Sequence, residues 1–445
     1  MHGVRFVVAG GGVAGLAAAL AVARAGHDAV VLERDLISPA TPPFDVDRRG
    51  IPHYFQPHAF LPRGRRLLLD WAPDVHDMLL AAGAEQQDAG EALRGPRRPG
   101  DEDLVYLWVR RPVIEWALRR AAAAEPSVQL RPGLHVTALV DHGVAVDDGT
   151  VVTGDIVVDA LGRYRCPRDW TRAPGTPTDC GAVYYTRYYR LRDGAAHVGA
   201  PILNPRGDLG YLGFNTFRGD DRTFAVIVLV PAADRELRVL RHHGAWEAAC
   251  ASITPLDAMI SPGHAYPITD VMPMGGLQNV DRTGDPGVPW LVAVGDAFCH
   301  TDPAFAYGLS FALADAQALA TAAAEAPDAI AGRYRELAGP EARERHAVAC
   351  ATDAARTARW AGDGADPRRR DGSYPLFSFA GALAAAPHDD HVLRCTIRRV
   401  GLLDRTAVFD QDETLQDRIE QILATATPPV LGPPRAELLA RLTAA

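Results

Sequence analysis

The sequence predicts an α/β fold: a Rossmann-like dinucleotide-binding domain, a middle domain built on a mixed or antiparallel sheet, and a C-terminal helical region. Three observations predict it. The chain opens on a strand, a glycine turn, a helix and a second strand, VRFVVAGGGVAGLAAALAVARAGHDAVVLER. Between residues 179 and 231 the text changes to alternating runs, AVYYTRYYRL, LGYLGFNTF and TFAVIVLV, which read as antiparallel strands. From Gly308 onward most of the chain has the composition of helices.

In the opening unit, Phe6–Ala9 is a short apolar run with β-branched content and reads as a buried strand. Gly10, Gly12 and Gly15 follow with the spacing G-x-G-x-x-G. In such a unit the first glycine allows the tight turn, the second lets backbone approach a pyrophosphate, and the third lets helix and strand pack closely. Val13 and Ala14 lie between them, where free N–H groups and the positive end of the helix dipole face phosphate. Gly26 closes the helix. The second strand, Ala29–Leu32, ends in Glu33 and Arg34; Glu33 stands where an acid accepts the protons of ribose hydroxyls. Phe6–Ala23 is uncharged, but its clustered glycines, its single flanking Arg and its lack of a cleavage site argue against a signal peptide or a membrane span.

Composition narrows the function. The 445 residues carry a net charge of −9, with 48% hydrophobic and 23% charged residues, an ordinary balance for a globular chain of two or three domains. Every basic residue is Arg, which excludes a catalytic lysine. No long basic run exists, so neither nucleic acid nor an anionic membrane is the expected partner. Cys166, Cys180, Cys250, Cys299, Cys350 and Cys395 form no C-x-x-C pair and no zinc spacing. The expectation is therefore no metal, reduced thiols and a cytoplasmic location.

Ser38–Pro62 is a long loop containing RRGIPHYFQPHAFLPRG, with Arg48, Arg49, His53, Tyr54, His58 and Arg63. Long loops of this kind are often functional, and a covering loop that merely packs is the alternative. His58 and Tyr54 are the catalytic candidates, placed to polarise a phenol or to close over a cofactor. Pro57 separates His53 from His58, so the two do not share a helix face and do not read as a metal pair. Arg65–Ala82 reads as one or two helices with a break at Pro73, Glu85–Glu102 as a flexible excursion, and Val109–Ala124 as a helix begun by Pro112. Val128–Leu130, His135–Val140 and Gly143–Val146 read as strands, with a turn at Asp147–Thr150.

Two later strands end in turns suited to a ligand. One runs into GDIVVDALGR, with Asp159 and Gly162; the other, Trp290–Val294, runs into GDAFCHTDPAFAYG and a strong helix. Beyond it lie helices at Ala329–Trp360, Phe377–Ala385, His391–Leu403 and Thr414–Ala424, a polar linker at Ala361–Ser373, and a stiff link at Pro428–Pro434 before a last helix. The divisions place the dinucleotide-binding domain at 1–170 plus 280–335, the sheet domain at 171–279 and the helical region at 336–445.

GGGVAG, GDIVVDALGR and GDAFCHTDPAFAYG, in that order, resemble the FAD-dependent monooxygenases of the para-hydroxybenzoate-hydroxylase type, within the glutathione-reductase-like FAD superfamily. The resemblance covers roughly residues 1 to 330. The late motif is similar to the family's G-D-A-x-H-x-x-P-P-x-x-G-x-G, with Gly295, Asp296, Ala297, Pro303 and Gly308 in register. It implies that Asp296 holds the ribityl chain of FAD. It also implies that Pro303, Ala306, Tyr307, Gly308 and Leu309 lie at the flavin ring, the helix N-terminus favouring an anionic flavin. Arg111, Val136, Asp159 and Gly162 are implied as further FAD contacts. There are departures: Ala306 replaces a glycine, Asp302 replaces the first proline, His300 falls one place late with Cys299 in its slot, and Ala160-Leu161 replaces small or acidic residues.

The implied activity is NAD(P)H- and oxygen-dependent monooxygenation: hydroxylation or epoxidation of an electron-rich aromatic or alkene small molecule, in a biosynthetic pathway, through a flavin hydroperoxide. No second fingerprint exists, so NAD(P)H docks transiently or a separate flavin reductase supplies electrons. In the middle sheet Tyr185, Arg187 and Tyr189 share one face and Tyr184, Thr186 and Tyr188 the other. Alternation alone leaves the inward face open; the first set is assigned to the substrate, with Asn215 and Phe217. Flavin halogenases share the fold, but their relay lysine is absent and no W-x-W-x-I-P occurs. A reductase of the geranylgeranyl-reductase type and a non-catalytic relative, like the prenyl-GTPase dissociation inhibitors, are the competing readings. Oligomeric state is open.

Overall fold

The computed structural model describes residues 3–46, 48, 50–163, 167, 170–199, 204–363, 377–425 and 429–444. Arg49, Cys166, Arg368 to Arg370, Pro428 and most of the polar linker therefore lie outside the described residues.

The opening unit forms the centre of a five-stranded parallel sheet. Its order is Leu291–Ala293, Ile156–Asp159, Arg5–Ala9, Asp28–Glu33, Val128–Pro132. The middle strands are buried on both faces, which is why they read as unbroken apolar runs. Helix Val13–Arg24 packs against Tyr307–Glu325 and against Arg111–Ala124. The close approach of helix to strand depends on Gly15, where a Cβ would lie 1.9 Å from the Gly10 carbonyl oxygen. A three-stranded meander, Val136–Val140, Gly143–Val146 and Val151–Thr153, covers one side of this sheet.

The middle segment forms an antiparallel sheet in the order Arg206–Asp208, Gly213–Arg218, Thr223–Pro231, Ala182–Leu191, Ala265–Pro267, with Met272–Met274 also paired to Ala182–Leu191. One face is covered by helix His243–Cys250 and by the last helix, Arg435–Ala444. The other face meets helices Phe377–Ala385, Asp390–Val400, Thr406–Asp410 and Glu413–Thr425, together with Tyr307. Both faces are thus buried, and both carry tyrosines.

Pro73 does break the second helical stretch, into Pro62–Trp71 and Pro73–Ala81. The expected flexible excursion at Glu85–Glu102 is instead tied down. Glu85–Asp88 pairs with Val105–Trp108, which also pairs with Ala59–Phe60. Arg394 reaches across to Asp101 at 3.0 Å. No helix among the described residues is long and apolar enough to cross a membrane. The five described cysteines are free.

Candidate functional site

A cavity of about 450 Å³ opens at the carboxyl ends of the parallel strands, where doubly wound sheets place their ligands. Gly10 (φ +110°), Gly12, Val13, Ala14, Glu33 and Arg34 line one end. Gly10 has no room for a side chain, since a Cβ would sit 2.5 Å from the Ala160 carbonyl oxygen. Gly12 is different. A Cβ there would meet only the Nη2 atoms of Arg111 and Arg48, at 3.8 and 3.9 Å. Two guanidinium groups therefore flank the start of helix Val13–Arg24, a cradle for a diphosphate.

One buried carboxylate aims both cations. Glu115 accepts from Arg111 Nε at 2.8 Å and lies 3.4 Å from Arg48 Nε and 3.6 Å from Arg119 Nη2. Burial works to raise its pKa, but the three Arg residues hold it below the usual carboxylate range. Arg48 also pairs with Glu33 at 2.9 Å, and Glu33 accepts the Gly11 N–H at 3.0 Å. Arg111 Nη1 donates to His53 Nε2 at 2.7 Å. That leaves the Nδ1 hydrogen of His53 buried at the cavity wall with no partner. Burial and the neighbouring Arg111 keep His53 neutral.

At the other end stand Asp296, Pro303, Ala306, Tyr307, Gly308 and Leu309, with Val136 and Gly162 along the side. His300 Nε2 accepts from Arg163 at 2.9 Å, so its Nδ1 hydrogen faces Asp296 at 3.4 Å. Burial would raise the Asp296 pKa, yet His300 and Arg163 hold it well below the usual range. Ala306 takes a left-handed conformation (φ +54°) just before helix Tyr307–Glu325. These residues fit FAD. The diphosphate cradle, Glu33 at the end of the second strand and Asp296 beside helix Tyr307–Glu325 lie along one continuous cavity, and the His53 hydrogen supplies an unused donor.

The remaining wall is the antiparallel sheet. Tyr184, Thr186, Asn215, Phe217, Ile227 and Leu229 line it. Register puts them on one face: Tyr184 opposes Leu229, Thr186 and Asn215 both oppose Ile227, and Phe217 opposes Ala225. His58 lines the cavity beside His53, with ring centroids 6.0 Å apart, and donates its Nδ1 hydrogen to the Gln56 carbonyl at 2.7 Å, leaving Nε2 as the acceptor nitrogen. Burial and Arg111 push His58 down to about 4.

Several expected residues are not at the cavity. Tyr185, Arg187 and Tyr189 face the opposite side of the sheet. Arg187 bonds Glu247 and the Thr269 carbonyl, and Tyr189 accepts from Trp246 Nε1 at 2.7 Å. The inward face belongs to Tyr184 and Thr186. Tyr54 packs with Ile37 and Val46 behind the loop, outside the cavity lining. Asp159 is fully buried and held by Arg172 at 2.6 Å, Trp170 Nε1 at 2.9 Å and the Leu161 N–H at 3.1 Å, so it braces the strand end rather than facing a ligand. Gly15 acts beneath the turn, through packing. Conversely, Arg48, His53, Arg163 and Glu115 were not assigned to the site from the sequence. The i,i+4 spacing of Arg111 and Glu115 after Pro112 is the signal that could have found the last.

No family model matches the chain, and no curated protein matches it. Solved structures do match its fold. A probable FAD-dependent monooxygenase from Pseudomonas aeruginosa, pqsL, is 18% identical, with 81% of this chain and 99% of that one covered and a TM-score of 0.58. The flavin-dependent brominase Bmp2 is 16% identical, with 96% and 100% covered and a TM-score of 0.63. The Diels-Alderase PyrE3 of pyrroindomycin biosynthesis is 20% identical, with 90% and 80% covered and a TM-score of 0.57. The chain thus has the fold of these proteins, a Rossmann-like domain joined to an antiparallel sheet and a C-terminal helical region.

Proposed function

We propose that this protein is an FAD-dependent monooxygenase that hydroxylates or epoxidises an electron-rich aromatic or alkene small molecule. One observation carries the reading. A single cavity has the dinucleotide fingerprint and Asp296 on one side and a partly polar sheet face on the other, so a cofactor and an organic substrate would share one enclosed space. FAD, when bound, would supply hydride acceptance and oxygen activation.

The chain's own residues have separable tasks. Arg48 and Arg111, aimed by Glu115, would neutralise the diphosphate, and Glu33 would take the adenosine ribose. Asp296, kept ionised by His300, would accept from the ribityl hydroxyls. The start of helix Tyr307–Glu325 would stabilise negative charge at the ring. The sheet face would orient the substrate and exclude water. With a pKa near 4, His58 is neutral at pH 7 and a weak base; its Nε2 suits it to accept a substrate hydroxyl hydrogen. The likeness to a brominase does not extend to halogenation, because the chain contains no lysine to act as the relay that the family resemblance implies.

The test is turnover under labelled dioxygen with NADH, NADPH or an added flavin reductase as electron source. Monooxygenation puts one labelled atom into the product. Substrate reduction without label would favour the reductase reading, and bound FAD with no change in any substrate would favour a non-redox role.

A further inference from the structure

The cations of the cavity are unevenly placed. Arg34, Arg48, Arg111 and Arg163 belong to the fingerprint, the cradle and the Asp296 end. Where the antiparallel sheet forms the wall, the described lining residues include no cation. Asp302 lies behind the Tyr184 hydroxyl, its charge balanced by Arg356 at 2.9 Å. Arg206, on the edge strand, opposes Asn215 in register but is not among the lining residues.

This wall is nevertheless not purely apolar. Thr186 is fully buried, and its Oγ1 has no hydrogen-bond partner. Gln56 is 6% exposed, and its Oε1 likewise has none. Asn215 uses its Oδ1 on the Thr216 N–H at 2.9 Å, which leaves its Nδ2 hydrogens to offer. Around these lie Phe217, Ile227 and Leu229. Leaving a buried polar atom unmade is costly, so these two acceptors, with the Asn215 amide beside them, point to a ligand that completes them.

We propose that the substrate is an uncharged molecule with an apolar body and hydroxyl or carbonyl groups along one edge, read by Thr186, Asn215 and Gln56, and that a carboxylate at that edge is rejected. This rests on the cavity being the substrate site of the proposed oxygenase. It deepens that reading by naming the substrate's charge. An anion here would find no cation among the described lining residues, whereas a phenol or ketone would meet one hydroxyl, one amide donor and one amide acceptor.

The test is calorimetric titration of the FAD-supplemented protein with 2-naphthol, 6-hydroxy-2-naphthoate and naphthalene. The expected result is 2-naphthol binding at least about tenfold more tightly than the carboxylate. Thr186→Val with Asn215→Leu should remove the preference for 2-naphthol over naphthalene, while Thr186→Ser retains it and controls for folding. Equal or tighter binding of the carboxylate, an unchanged preference in the double variant, or no 2-naphthol binding up to about 1 mM would overturn the proposal. Binding is read without turnover, so failure here is distinct from failure to incorporate oxygen.

Discussion

The Tyr184 hydroxyl donates to the Asp302 carboxylate, joining the antiparallel sheet to the loop that leads into helix Tyr307–Glu325. Asp302 also accepts the Ala304 N–H at 2.9 Å and pairs with Arg356 on the long helix Ile330–Trp360. Arg356 contacts Asp353 at 2.8 Å as well. Burial opposes ionisation of Asp302, but Arg356 and the donors around it keep it below the usual carboxylate range. Burial and Asp302 push Asp353 up. Two carboxyls beside one guanidinium therefore hold one negative charge between them. Asp302 is thus a knot binding three parts of the chain.

Removing parts of this knot should have unequal effects. Tyr184→Phe leaves Asp302 with Arg356 and the Ala304 N–H, and should cost about 1 kcal/mol. Asp302→Ala shifts the one negative charge to Asp353, which keeps Arg356 paired, but strips the acceptor from the Tyr184 hydroxyl and the Ala304 N–H, and should cost about 2–3 kcal/mol. Urea unfolding of the two variants decides; equal losses would contradict the arrangement.

Glu115 should matter beyond its own contacts. Glu115→Gln leaves Arg48, Arg111 and Arg119 close together with less compensation, so stability should fall by about 3–5 kcal/mol. FAD affinity should fall with it, because the Gly12 cradle loses its aim. Thermal melts with and without FAD check this: FAD should raise the melting temperature less in the variant than in the wild type.

Asp315 makes stability depend on pH. It is buried beneath the Gly295 turn and accepts that N–H at 2.8 Å. Burial pushes it up to about 7 from 3.8. A folded pKa above the unfolded value means the native state holds the extra proton. This contribution is therefore full below the unfolded pKa and is lost as pH rises to about 7. Asp315→Asn should flatten that dependence, narrowing the difference in melting temperature between about pH 5 and pH 8. An unchanged difference would show that Asp315 does not titrate there.

Ala306 is held in a left-handed backbone region that disfavours side chains. Ala306→Gly should leave stability equal or up to about 0.5 kcal/mol higher, because glycine's greater unfolded-state entropy offsets part of the relief. Ala306→Val should cost about 1–2 kcal/mol. The order of melting temperatures among the three proteins checks the assignment.

The parts of the site written in local spacing were legible in the sequence. Gly10, Gly12 and Glu33 belong to one strand–turn–helix–strand unit, and Asp296 ends another strand, so short-range pattern places each at the mouth of the parallel sheet. Tyr185, Arg187 and Tyr189 show what such pattern lacks. Alternation separates two faces, but here both are buried, the outer one under His243–Cys250 and Arg435–Ala444, so polarity carries no signal of which is inward. Asp159 misled for a different reason. An acid at a strand end looks available, and its capture by Trp170 and Arg172 depends on how the intervening loop returns. Tyr54 lies in a loop without periodicity, so its turn into a small cluster with Ile37 and Val46 had no local signature.

The central claim is that this cavity holds FAD as the working cofactor, with Asp296 among its holding groups. Purified protein is incubated with FAD, desalted and denatured, and the released flavin is identified and counted by chromatography. The account predicts about one FAD per chain from the wild type and a large loss in Asp296→Ala. A wild type that releases no flavin, or an Asp296→Ala variant that retains FAD and turnover at the wild-type level, would contradict it.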